Sequence, residues 1–382
     1  MIIKKNVVIV GGGFGGLESA RILARYSNLF NITLISKQEN FLYYPALYQL
    51  AEKASTYFSV LKIKDMLPRS INLIIDEVIG FDRIKKVVTF SNRSDLSYDI
   101  LIVALGSVTE DFGTPGVREF MYQFRTKEDL DRLRGIILQY LDSNQNEPII
   151  VVGGGPTGIE LAAQISTLFK GESSYDNIHP RVMVIEALSS VVAQLPERAQ
   201  HFIKKHLLKL KVALYTNTKV TSYDGHILKT NNGEFISKTV VWAAGLAANP
   251  LLRDLNTETD KKGRVIVNEY LEIPTDNNVF VIGDSASTLR AGLAQTAIYD
   301  GAFVARSIIA RTIRHKREVY SAPKHVGYAI PVGKGFGVAS FGSFIFRGFL
   351  GSLFRNIVDF EYIIKRADLR SAIQIFFHKT RE

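Results

Sequence analysis

At 382 residues the chain is long for a single core, so two or three domains are expected. It contains no cysteine, which excludes disulfides, cysteine-ligated zinc or iron–sulfur centres and thiol redox relays; any electron chemistry must run on a bound organic cofactor, and no metal site is expected. Its 47 basic residues outnumber 37 acidic ones, a net charge of +10 that suits an anionic surface, but there is no nucleic-acid motif and no basic low-complexity arm, so nucleic acid is not an expected partner.

The N-terminal apolar run is too short for a signal peptide, and no stretch reaches the roughly 18 uncharged apolar residues of a spanning helix. The chain is expected to be cytosolic or to lie on a membrane without crossing it. Val7 to Val10 is short, apolar and unalternated, as in a strand buried on both faces of a parallel sheet. It runs into "GGGFGG", where Gly11, Gly13 and Gly16 fit G-x-G-x-x-G and Phe14 and Gly15 fill the gap; Leu17 to Tyr26 then reads as a helix. In a dinucleotide fold the first glycine makes the tight turn, the second lets backbone approach a pyrophosphate, and the third lets helix pack on strand. The next strand, Asn31 to Ile35, ends where an acid for the adenosine ribose is expected, about 20 residues on. It carries Ser36 instead, with Lys37 beside it near the phosphates.

The pattern "YDILIVALGS" (Tyr98 to Ser107) is a strand ending in Ala104 and Gly106, as where chain crosses between nucleotide domains. "IIVVGGGPTGIELAAQI" (Ile149 to Ile165) then repeats the opening 142 residues on: Gly153, Gly155 and Gly158 with Pro156 and Thr157 between them, followed by a helix. Here the acid is present. "VMVIEA" ends on Glu186, 28 residues after Gly158, the excess taken up by the polar loop 170–180. A carboxylate there accepts from both ribose hydroxyls and repels a 2′-phosphate, so this site is expected to favour NADH over NADPH.

"TVVWAAGLAANP" (Thr239 to Pro250) is a second crossing strand, with Gly245, and "NNVFVIGDSA" places Asp284 after a strand and Gly283, where it could bind a sugar-chain hydroxyl. In the tail, Phe346, Phe349, Leu350, Leu353, Phe354 and Ile357 fall on one helical stripe, with Arg347, Gly348, Gly351, Ser352, Arg355 and Asn356 opposite. A second stripe follows at Leu369, Ala372, Ile373, Phe376 and Phe377. From Lys324 onward there are nine Lys or Arg against four Asp or Glu. Apolar, aromatic-rich stripes flanked by arginines fit a helix lying in a membrane interface; the competing expectation is that they cover the protein's own core or a homodimer contact.

The order of these motifs resembles, across essentially the whole chain, the two-dinucleotide flavoproteins and within them the type II (alternative, non-pumping) NADH:quinone dehydrogenases. The closer match is carried by "FLYYPALYQLA" (Phe41 to Ala51), "ALGSVTEDFGTPGV" (Ala104 to Val117), "GGGPTGIELA" (Gly153 to Ala162), "VVWAAGLAANPLLRDL" (Val240 to Leu255) and "LAQTAIYDG" (Leu293 to Gly301). The resemblance implies FAD at the first glycine motif and NADH at the second, with Val78 meeting the adenine, Asp284 the ribityl and pyrophosphate, and Glu160 beside flavin and nicotinamide. It also implies a helix opening at Ala294 and Gln295 at the flavin's pyrimidine edge, and a quinone pocket marked by AQxAxQ, whose second glutamine is here Tyr299. Expected, then, is an α/β protein of two Rossmann-like domains: FAD-binding at 1–110 and 246–320, NADH-binding at 111–245, and a membrane-associating region at 321–382. It would be peripheral on the cytoplasmic face and collect quinone from the bilayer. The competing functions are a soluble NADH reductase of a small protein carrier, a relative of the sulfide:quinone oxidoreductases working without their cysteines on another donor, and a non-enzymatic nucleotide-sensing or interaction protein.

Overall fold

The computed structural model describes residues 3–51, 60–142, 147–169, 181–323, 327–341 and 344–366. They form two compact units, one drawn from Met1–Phe41, Leu61–Val108 and Leu246–Val326, the other from Leu42–Val60, Thr109–Gly245 and Gly327–Glu382. In the first unit β1 (Lys5–Val10) turns into α1 (Phe14–Ala24), followed by β2 (Phe30–Ser36), β3 (Ile71–Ile75) and β4 (Ile100–Val103). The second unit then supplies β5 (Ile149–Val152), α2 (Pro156–Phe169), β6 (Val182–Ile185), α3 (Glu197–Lys209), β7 (Val212–Tyr215) and β8 (Thr239–Trp242). The chain returns to the first unit for β9 (Glu272–Ile273), β10 (Asp276–Val281) and α4 (Ala294–Thr312).

The first sheet has the order β9-β10-β4-β1-β2-β3 and is parallel except at β9. Val10 pairs with both Ile35 and Val103, so β1 is walled in on either side, and Val7 to Val10 are buried as their unbroken apolar run requires. The second sheet, β7-β6-β5-β8, is wholly parallel, with Val152 flanked by Ile185 and Trp242.

Helix α1 begins at Phe14, three residues earlier than the sequence suggests, so Gly15 and Gly16 lie inside its first turn. The reason is packing. A Cβ on Gly301 of α4 would strike the Gly15 carbonyl, and one on Gly15 would come within 3.0 Å of the Ala297 carbonyl, so the two helices cross with their backbones nearly touching.

The tail folds as β11 (Ala329–Pro331), β12 (Gly337–Phe341) and β13 (Phe344–Gly348), an antiparallel sheet, and then α5 (Phe349–Arg366). Ile330, Val332 and Val338 join Ile149, Val151 and Ile159 in one core, so this sheet belongs to the second unit. The expected first stripe therefore needs correcting at its start. Phe346 lies in β13, and the helix begins at Phe349, after Gly348 turns the chain at φ +71°. The second stripe, Leu369 to Phe377, and the loop 170–180 lie outside the described residues.

Two helical glycines, Gly301 at the α1–α4 crossing and Gly135 in the helix Lys127–Asp142, meet opposite surroundings. Gly301→Ala is expected to lower the unfolding midpoint, as overpacking costs roughly 1–3 kcal/mol. Gly135→Ala, at an exposed helical position with nothing within 4 Å, should raise it by the equivalent of about 1 kcal/mol, both read by thermal unfolding.

Candidate functional site

Each parallel sheet reverses its strand order beside its central strand, and there the two units repeat one local geometry. In the first, Gly11 (φ +119°) donates its N–H to the Ile35 carbonyl at 2.8 Å, and a Cβ on it would drive into the Ala104 carbonyl at the end of β4. In the second, Gly153 (φ +111°) donates to the Ile185 carbonyl at 2.8 Å, and a Cβ would come within 2.7 Å of the Ala243 carbonyl carbon at the end of β8. Gly16 and Gly158 are pressed against the carbonyls of Gly11 and Gly153. Gly13 and Gly155 have nothing within 4 Å of a built Cβ, so the face over the helix N-terminus is open to an anion. These residues fit two dinucleotide pyrophosphates.

The middle glycine of each triplet, outside the consensus, is also constrained. A Cβ on Gly12 would lie 2.7 Å from Ser36 Oγ, and one on Gly154 would lie 2.9 Å from Glu186 Oε2. Ser36 and Glu186 thus occupy matching positions. Glu186 is held by two backbone donors, Gly154 N–H at 2.6 Å and Leu188 N–H at 2.7 Å, which orient its carboxylate at the end of β6. Buried Ser36 donates to the Gln38 carbonyl at 2.7 Å, and Lys37 is paired at the surface with Glu77 at 2.6 Å. Half-buried Val78 opens the strand after Glu77.

In the first unit Asp284 lies in a turn opened by Gly283 at φ +64°. Its carboxylate accepts from Ser107 Oγ at 2.8 Å and from Gly292 N–H at 3.0 Å, so Asp284 is brought to the open side of Gly106. A brace unseen in the sequence holds this turn. Fully buried Asp300 accepts from Gly283 N–H at 3.1 Å and from the Tyr320 hydroxyl at 2.7 Å. Burial pushes the Asp300 carboxyl up to about 6 against these two donors, with the Asp284 charge adding to the rise. Helix α4 opens at Ala294 with Gln295 exposed, and the Tyr299 ring meets Tyr320 edge-on at 5.9 Å. The Thr296 hydroxyl is buried with no partner among the described residues.

In the second unit Pro156 begins α2, where its missing N–H costs nothing, and Glu160 lies buried one turn on. Burial pushes the Glu160 carboxyl up to about 8, the Arg355 charge opposes the rise and Asp359 adds to it. Arg355 and Asp359 come from the inner face of α5. The Arg355 guanidinium bonds Asp359 at 3.1 Å, the Ala329 carbonyl at 2.8 Å and the Pro45 carbonyl, and Asp359 also accepts from the Tyr43 hydroxyl at 2.8 Å. The sequence signal for this cluster is only an Arg–Asp pair at i, i+4.

The fold and the paired glycine notches define the two-dinucleotide class of α/β proteins. Residues 5–301 match the model of the pyridine nucleotide-disulphide oxidoreductase family. The chain is 30% identical to the type II NADH:quinone oxidoreductase NdhA of Mycobacterium tuberculosis, over 94% of this chain and 84% of that protein. It is 28% identical to the type II NADH:quinone oxidoreductase of Staphylococcus aureus, over 80% and 82% respectively. The fold is shared with the NDH2 of Plasmodium falciparum solved in complex with NADH, with a TM-score of 0.85 and 19% identity over 98% of this chain and 97% of that one. The chain belongs to the pyridine nucleotide-disulphide oxidoreductases, and within them to the type II NADH:quinone oxidoreductases.

The match between Ser36 and Glu186 sets up a substitution. In Ser36→Glu the new carboxylate should accept from Gly12 N–H as Glu186 does from Gly154, and reach the FAD ribose. Flavin loss on dilution, followed by fluorescence, should then slow by about tenfold, the scale of one charge-assisted hydrogen bond.

Proposed function

We propose that the protein transfers two electrons from NADH to a membrane quinone through FAD, without pumping protons. The observation that supports this is the doubled glycine turn, with Glu186 held by Gly154 N–H beside one copy, and Asp284 held by Ser107 Oγ in the unit that carries the other. Gly11, Gly13, Phe14, Gly15 and Gly16 seat the FAD pyrophosphate, Ser36, Lys37 and Val78 its adenosine, and Ala104, Gly106, Gly283 and Asp284 its sugar chain. Gly153, Gly155, Pro156, Thr157, Gly158 and Gly245 take NADH, with Glu186 on its ribose.

Bound FAD supplies the two-electron step between hydride donor and quinone. The protein's task is to hold rings at near-attack distance and to stabilise charge where it develops. The free amides opening α4 at Ala294 and Gln295 favour negative charge at the flavin's pyrimidine edge. Gln295 and Tyr299 line the quinone side. Glu160, buried and protonated below about pH 8, carries a proton at neutral pH, and quinol formation requires one.

The tail supports a lipid partner. On α5 the buried residues are Gly351, Arg355, Asp359, Tyr362 and Ile363, while Phe349, Leu350, Leu353, Ile357 and Ile364 are exposed, joined by Phe344 and Phe346 of β13. The apolar stripe is thus turned away from the described core, the reverse of an ordinary amphipathic helix. Arg347, Lys365 and Arg366 provide positive charge beside it. No described helix is long and apolar enough to cross a membrane; the exposed stripe is the basis for a peripheral attachment, which we assign to the cytoplasmic face.

Anaerobic titration tests the activity: NADH should bleach the flavin stoichiometrically and a quinone should restore it, and failure of either step would sink the reading. NADH should reduce the flavin far faster than NADPH, and Glu186→Ser should narrow that ratio by at least tenfold by removing the repulsion of a 2′-phosphate. The double variant Leu353→Glu, Ile357→Glu should leave flavin reduction intact but cut sedimentation with anionic liposomes more than tenfold, since each buried side chain of this size contributes about 1.5–3 kcal/mol.

A further inference from the structure

The loop from Glu110 to Gly116 carries a strained residue that the reaction described above does not use. Phe112 has φ +53°, a left-handed conformation that a bulky side chain rarely adopts, and the residue is 64% exposed. The loop is tied firmly to the end of β8. Glu110 N–H donates to the Gly245 carbonyl at 3.3 Å, the Trp242 indole donates to the Glu110 carbonyl at 2.9 Å, and Phe112 N–H donates to Glu110 Oε1 at 2.8 Å. One edge of the ring rests on Gly245, where an added Cβ would come within 2.7 Å of two ring carbons, and Trp242 lies 6.5 Å away, tilted by 57°. Strain, an exposed aromatic face and a glycine that cannot take a side chain therefore coincide at one point.

That point lies on the line a dinucleotide must follow. The strand order β7-β6-β5-β8 reverses between β5 and β8, so the crevice for a ligand opens over Gly153 and Ala243. With the pyrophosphate at the Gly153–Gly155 turn, the adenosine half runs toward Glu186 at the end of β6. The other half runs the opposite way, over Ala243 to Gly245. We propose that Phe112 is a further substrate-binding residue, its exposed ring packing against the nicotinamide riboside half of the dinucleotide over Gly245. The backbone strain is then the means by which a loop aromatic is held face-outward over this strand end. This inference rests on the assignment of the second unit to NADH.

Two substitutions separate the ring from the strain. Asparagine tolerates φ above zero, so Phe112→Asn keeps the loop and removes the aromatic face, while Phe112→Tyr keeps the face. Binding to the FAD-loaded enzyme is measured calorimetrically with NAD+, which cannot reduce the flavin, and with ADP-ribose, which lacks nicotinamide. Phe112→Asn should weaken NAD+ by about tenfold, the scale of one aromatic stacking contact, and leave ADP-ribose within about twofold; Phe112→Tyr should restore NAD+. Equal losses for both ligands in Phe112→Asn, or no loss for either, would overturn the role of the ring alone. Failure of the wild-type enzyme to bind either ligand, or an unchanged affinity in Glu186→Ser, would overturn the assignment of the site and the inference with it.

Discussion

The structure depends on one kind of contact: a glycine after a central strand pressed against the last carbonyl of the neighbouring strand. Gly11 meets Ala104 in this way and Gly153 meets Ala243. Each contact draws together two strand ends and the start of a helix, leaving a notch lined by backbone amides at the place where strand order reverses. A methyl group at either glycine would separate these elements. The fold and the open notch are therefore specified by the same absent side chain, and the helix starts leave backbone donors there that suit an anion.

The two copies differ beside the notch, which accords with the different ligands proposed for them. Next to the notch, Glu186 spends two acceptor positions on backbone amides, yet a carboxylate has about four, enough left for ribose hydroxyls. Ser36, in the same position, bonds locally to Gln38, and the first unit puts its charge on the other side, at Asp284. A cofactor that stays bound can be held by many weak contacts along its length. A substrate that leaves each cycle gains more from one selective anchor at its distinguishing end.

Much of this was legible in the sequence because it rests on short, local patterns. Gly11 and Gly153 report φ angles, and Gly16 and Gly158 close approaches, that suit glycine alone, and four-residue apolar runs report strands walled in on both sides. The start of α1 was misplaced because the glycines that build the turn also form the helix's first turn, and glycine carries no helical signature of its own. The Asp300–Tyr320 and Tyr43–Asp359–Arg355 groups were invisible for a different reason: each joins residues 20 to more than 300 apart, and a buried charge reads in sequence like a solvated one. The tail stripe was legible as a stripe, but which side faces the core is fixed by those same buried charges and by the close approach of Gly337 and Gly351.

Helix α5 reverses the usual division of labour between the faces of a helix. Its inner side docks by a guanidinium shared among a carboxylate and two carbonyls, bonds that are directional and fail together if the helix rotates or slides. Nonpolar burial would tolerate such movement; this arrangement does not. The exposed apolar residues of the outer side, Leu350, Leu353 and Ile357 among them, can change one for another with little effect on how the helix sits. Arg355 and Asp359 thereby keep the helix in register whatever apolar residues its outer face carries.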